Sequence, residues 1–183
     1  KTDKPIIDFT KRRAFKDKIF IPTLRKEFPL EKMEVMPNND NPFLVIKVNG
    51  VAVYCKGGNW GIDDAMKKVS RENLEPAFRL HREANFNMIR NWTGESTEPV
   101  FFDLADEYGM LVWNDFWLST EGFNLNPSDD QLFLDNSLDM IRRYRNHASI
   151  AIWCPRNEGY APAGIENDLA TQIAKEDGTR HYI

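Results

Sequence analysis

The chain has 183 residues, 42% of them hydrophobic and 28% charged, with a formal net charge of −4. This is long enough for one domain with its own core, has the balance of a globular protein, and its acidic total argues against generic nucleic-acid binding. Two cysteines and three scattered histidines make no disulfide framework and no metal-ligand spacing, and no apolar run is long enough to span a bilayer as a helix.

Residues 1–36 are broken by prolines and by Lys11-Arg12-Arg13, and they follow no period. Residues 1–32 hold ten Lys and Arg against five Asp and Glu, which reads as a solvated charged face. No signal peptide is visible; the first residue is Lys1 rather than Met, so a removed leader stays open. Next, Phe43–Val48 and Val51–Cys55 flank Asn49-Gly50, the strongest short signal for a β-hairpin, because both central residues of its turn need positive φ.

From there the pattern alternates strand and helix. Val51–Cys55 is read as the first strand, with Lys56–Gly61 as a loop after it. A helix starting near Asn73 carries Leu74, Ala77, Phe78, His81 and Ala84 at spacings of three and four, with Pro76 in its first turn. The second strand is Asn87–Trp92. Pro99 opens the next helix (Phe101, Leu104, Ala105, Tyr108) and Gly109 closes it. The third strand is Met110–Phe116, and Ser128–Gln131 has capping-box spacing for a third helix. The fourth strand is Ser149–Cys154. A fourth helix carries Ile165, Leu169 and Ile173 and ends at Asp177-Gly178, after which Tyr182-Ile183 begin a fifth strand.

Several strands are near-continuous apolar runs, as a parallel sheet buried on both faces requires. Their repeat of about 33 residues fits the ~31 of a (β/α)8 barrel, and a doubly wound open sheet fits the alternation as well. In a barrel, chemistry collects at the C-terminal ends of the strands. Those ends read Asn59-Trp60, then Arg90-Asn91-Trp92, then Asp115-Phe116-Trp117, then Arg156-Asn157-Glu158. Polar and aromatic groups gather there, while strand interiors are aliphatic. Tryptophan faces with carboxylates and amides suit a carbohydrate. Glu158 is the one Glu directly after a strand end. Glycoside hydrolysis needs one carboxylic acid for the leaving oxygen and a second carboxylate across the anomeric carbon, and the acid needs burial or a like-charged neighbour to stay protonated.

Several strings in one order resemble glycoside hydrolase family 2: Gly57–Trp60, Asn87–Trp92, Asp106–Gly109, Val112–Trp117 and Arg145–Trp153, followed by Arg156–Gly159. The similarity runs from about Val48 to Arg180 and is nearest to the β-mannosidase and exo-β-glucosaminidase branch. It implies an α/β fold: a partial (β/α)8 TIM barrel of about four βα units over residues 43–183. A β-hairpin would precede it, and residues 1–42 would be the remnant of an immunoglobulin-like β-sandwich or an irregular tail.

The resemblance also implies a retaining exo-β-glycosidase acting on terminal β-linked sugars. Glu158 would be the general acid/base and Asn157 its sugar-gripping neighbour. Trp92 and Asp115 would line the terminal-sugar subsite and Arg90 would support the carboxylates; Asn91 and Trp117 are the remaining substrate-binding candidates. It implies an oligosaccharide or glycoside as substrate; from the residues themselves no metal and no cofactor is expected, and neither nucleic acid nor membrane as partner. Two departures matter: Pro155 stands where the family usually has Gly, which puts the turn aiming Glu158 in question, and the family's nucleophile is a second Glu on a later strand, past the last residue here. The expectation is an inactive chain when taken alone.

The rival readings are a non-catalytic carbohydrate-binding protein and an assembly module that pairs as a homo-oligomer through half-barrel edges. Of single residues, Arg90 could simply neutralise a buried Asp115. Trp113 and Trp153 are expected to pack rather than touch sugar, His147 to satisfy carbonyls at a helix end, and Cys55 and Cys154 to be free buried thiols. Gly57-Gly58 lacks the Lys-Ser/Thr of a phosphate loop.

Overall fold

The computed structural model describes residues 46–62, 65–118, 126–159 and 161–183. The expectations for residues 1–42 lie outside them. Lys47–Val48 (β1) and Val51–Ala52 (β2) pair antiparallel across Asn49 (φ 53°) and Gly50 (φ 81°). A separate five-stranded parallel sheet follows, in the order β3-β4-β5-β6-β7: Gly57–Trp60, Met88–Asn91, Leu111–Leu118, Ile150–Arg156 and His181–Tyr182. Helices α1 (Arg71–Glu83), α2 (Pro99–Tyr108), α3 (Asp130–Tyr144) and α4 (Ala163–Glu176) alternate with these strands.

The first parallel strand is therefore Gly57–Trp60, read from sequence as a loop, and not Val51–Cys55. Strand propensity favoured the Val-rich run, but close approach decided otherwise. Gly57 lies opposite Met88, and a Cβ on it would stand 1.8 Å from the Met88 carbonyl oxygen. Only glycine lets the two backbones meet. With this strand in place the starts fall at 57, 88, 111, 150 and 181, a mean spacing of 31 residues.

Helix limits moved for local reasons. Helix α1 starts at Arg71, so Pro76 lies inside it rather than in its first turn. Helix α3 is capped by Asp129, whose carboxylate accepts the Leu132 N–H at 2.9 Å, one residue later than the Ser128 box. Helix α2 has Pro99 in its first turn and ends on left-handed Gly109 (φ 67°).

The sheet has two unlike faces. On the helix side, Ile89, Val112, Phe116, Trp153 and Tyr182 pack against Phe78, Phe101, Leu104, Ile141 and Leu169. Phe102 stacks on Tyr144 with ring centroids 4.1 Å apart. Burial of each such side chain stabilises by about 1.5–3 kcal/mol. On the other face, helix-free among the described residues, Leu111, Ala151 and Ile152 pack against Ile46 and Val48, so the hairpin covers the N-terminal end of that face.

A polar network ties the same end together on the helix side. Asp106 accepts from Ser149 N (2.9 Å) and meets His147 Nδ1 (3.0 Å), so His147 serves a carboxylate rather than the expected carbonyls. Arg180 donates to the carbonyls of Ile150 (3.0 Å) and His147 (2.6 Å) and pairs with Asp177, which also accepts from Trp153 Nε1 at 2.8 Å.

Candidate active site

The helix-free face turns polar at the C-terminal ends of the strands. Arg90 on β4 and Asp115 on β5 form a two-pronged pair, Nε to Oδ1 at 3.1 Å and Nη2 to Oδ2 at 2.8 Å. The Asp115 side chain has no exposed area and that of Arg90 is 24% exposed. Arg90 Nη2 also donates to Asn157 Oδ1 at 2.9 Å, so one guanidinium links three strand ends. Burial pushes the Asp115 carboxyl above its ordinary value, even though Arg90 and the Thr93 N–H (3.0 Å from Oδ2) pull it down.

One layer deeper, Trp113 pairs with Arg90 in the sheet register and lies under it, ring centroid 5.2 Å from the guanidinium carbon. Such a cation–π contact holds the guanidinium plane over the ring. Trp113 is thus part of the support for this cluster and not inert packing. Cys154, in register with Asp115, is buried and free; burial and the neighbouring carboxylate push its thiol up to about 11. Cys55 is free but only half-buried.

Glu158 follows β6 on a left-handed turn, with φ 34° at Glu158 and 74° at Gly159. Positive φ at a non-glycine residue is uncommon and concentrates at functional sites. Pro155 does not break the approach. It lies inside β6 where the β5–β6 register shifts between Asp115 and Leu118, a place where its missing N–H is tolerated. Asn157 N donates to Leu118 O at 3.1 Å and fixes the start of the turn. Glu158 is exposed, so the described residues do not provide the burial that the sequence reading asked for.

Not every expected residue joins the cluster. Asn91 is fully buried on the helix side and bonds to Asn114 and Ser96. Trp117 donates to Gly94 O at 3.0 Å and packs edge-on against Phe133 of α3, away from Arg90. Trp92 is half-buried in the turn directly after β4. Trp60 at the end of β3 is buried, its Nε1 spent on Ser96 Oγ at 3.0 Å. The Thr93 amide was missed by sequence reasoning, because a backbone N–H carries no residue-type signal. Among the described residues no group of three or more His, Cys, Asp or Glu could hold a metal ion.

The family model for the glycosyl hydrolases family 2 TIM barrel domain matches residues 43–182. The chain belongs to glycoside hydrolase family 2. Among curated relatives of this family-2 chain, a mannosylglycoprotein endo-β-mannosidase of Lilium longiflorum is 36% identical over 146 residues, covering 75% of this chain and 15% of that protein. A β-mannosidase B of Thermothelomyces thermophilus is 32% identical over 176 residues, 89% of this chain and 21% of its own length. The β-D-mannosidase structure from Dictyoglomus thermophilum superposes with a TM-score of 0.65 at 29% identity, covering 79% of this chain and 20% of that one. A β-glucuronidase of Parabacteroides merdae, at 20% identity and a TM-score of 0.63, shares the fold alone. The chain thus spans 15–21% of the length of the two curated relatives, and its parallel α/β sheet is part of the barrel domain that defines the family. The helix-free face is the inner face of that barrel, and the C-terminal strand ends are its mouth.

Proposed function

We propose that these residues form the acid/base half of a retaining, exo-acting β-glycosidase site, with terminal β-mannosides as the favoured substrate class. One observation carries the reading: Glu158 stands on a left-handed turn at the barrel mouth, next to an asparagine that Arg90 ties to buried Asp115. In this scheme Glu158 donates its proton to the glycosidic oxygen as the bond to the anomeric carbon breaks. A second Glu, on a later strand of the family barrel, attacks that carbon. Glu158 then takes a proton from the water that releases the sugar. Asn157 holds the sugar C2 hydroxyl, Asp115 and Trp92 line the terminal-sugar subsite, and Arg90 keeps the two polar groups aligned. The β-mannosidase names of the relatives support the substrate class.

The test is Glu158→Gln in the natural protein that carries these residues, assayed with aryl β-mannosides. Poor leaving groups need the acid and should lose about 10²–10⁴-fold in kcat. A dinitrophenyl leaving group, which departs without a proton, should lose far less in its first step. Equal and small losses on both would reject the role of Glu158. A polypeptide limited to these 183 residues is expected to be inactive on the same substrates.

A further inference from the structure

The turn after β4 is held from more sides than a surface loop requires. Trp92–Gly94 form a single 3₁₀ turn in which Thr93 (φ 50°) and Gly94 (φ 64°) are both left-handed. A Cβ on Gly94 would stand 2.6 Å from the Asp115 carbonyl oxygen, so the turn lies directly on β5. Trp117 Nε1 holds it from one side through Gly94 O. From the other side comes a buried amide clasp. Asn91 Oδ1 accepts from Ser96 N at 3.0 Å, and Asn91 Nδ2 donates to Ser96 O and to Asn114 Oδ1, each at 2.8 Å. Ser96 Oγ in turn accepts from Trp60 Nε1. Asn91, Ser96 and Asn114 have no exposed area.

An amide offers two N–H donors and a carbonyl oxygen. Both donors of Asn91 are spent inside the protein, and its oxygen is turned to the same backbone, so nothing is left to grip a sugar hydroxyl. What the clasp fixes is the four-residue span between its ends, Trp92 to Glu95. That span carries Trp92 and the Thr93 N–H that bonds Asp115.

Building on the glycosidase reading above, we propose that Asn91 and Ser96 are positioning residues for the terminal-sugar subsite: they set the turn that presents Trp92 and orients Asp115, and they do not touch substrate. The clasp is built before any sugar arrives, which spares the cost of ordering the turn on binding. Loosening it lets Trp92 wander and weakens sugar binding alike in the ground state and the transition state, so KM rises while kcat per folded molecule holds.

The experiment uses the natural protein and a nitrophenyl β-mannoside, with Asn91→Ser, Ser96→Ala, Trp92→Ala and the Asn91→Ser/Trp92→Ala double variant. Active protein is counted by folded fraction. Asn91→Ser is expected to raise KM on the order of ten-fold with kcat nearly unchanged, and to add only part of that rise once Trp92 is already Ala, the part that acts through Asp115. Ser96→Ala keeps both Asn91–Ser96 bonds, which use Ser96 backbone atoms, and removes only the support from Trp60 Nε1, so it should raise KM by a smaller factor; Asn91→Asp, which loses both bonds donated by Nδ2 but keeps the one accepted from Ser96 N, carries the test if Asn91→Ser does not fold. An unchanged KM with fewer folded molecules overturns the proposal, as does a KM rise that adds in full to that of Trp92→Ala. Glu158→Gln and the native protein, run beside them, isolate the parent reading: an unaffected kcat in Glu158→Gln rejects Glu158 as the acid/base, and no turnover by the native protein rejects the glycosidase reading, whatever the clasp variants do to KM.

Discussion

The two ends of the parallel sheet each bury an aspartate, and they use it differently. At the N-terminal end Asp106 is met by Ser149 N and His147, while nearby Arg180 spends its donors on backbone carbonyls and on Asp177. The partners that close this network are buried or half-buried backbone and side-chain groups. At the C-terminal end Asp115 is met by Arg90 and Thr93 N, but Arg90 reaches onward to Asn157, beside exposed Glu158. One network ends inside the protein; the other leads to the barrel mouth. A barrel that does chemistry at one end needs the other end only to hold.

That contrast can be broken most directly with Arg180→Met set beside Glu158→Gln. Removing the arginine leaves Asp177 as a buried charge without its partner and strips donors from several carbonyls, so a loss of about 3–5 kcal/mol is expected by denaturant titration. KM and kcat of the remaining folded molecules should not move. Glu158→Gln should do the reverse, losing turnover at an unchanged melting temperature. If Arg180→Met altered KM, the two ends would be coupled and the division drawn here would fail.

A smaller effect sharpens the view of the mouth. Burial raises the Asp115 carboxyl, so the folded protein holds that proton more tightly than the unfolded chain does. The stability it contributes is complete below the ordinary aspartate value and is lost as pH rises through the raised one. Asp115→Asn has no proton to lose. Its stability relative to the native protein should therefore improve as pH climbs across that window, which unfolding midpoints at a series of pH values would register. An Asn variant that instead loses ground to the native protein as pH rises would mean that Arg90 outweighs burial.

The least is expected from Gly57→Ala, about 1–3 kcal/mol of destabilisation, because a methyl group must displace the Met88 backbone. A neutral result would mean that β3 can slide away from β4 at no cost, and the first parallel strand would need to be redrawn.

Where periodicity and punctuation act locally, the sequence was a good guide. Pro99 and Gly109 bracket α2, and the apolar runs at 110–116 and 149–154 fall within or beside β5 and β6. The family's motifs are legible because they are contiguous strings at strand ends. The Val-rich stretch at 51–55 misled, since a hairpin strand and a parallel strand use the same residue types and the deciding contact joins Gly57 to Met88, thirty-one positions apart.

What the amino-acid order settled by itself was the alternation of strand and helix, the repeat length, the family and the position of Glu158 after a strand. Those follow from local propensity and spacing, which the chain carries wherever it goes. Only the tertiary structure decided which side of each strand its side chains take. It buried Asn91 in a clasp, aimed Trp117 at α3, and set Trp113 beneath Arg90. A shifted register or a pair of left-handed residues reverses such choices, and neither leaves a mark in the residue types alone.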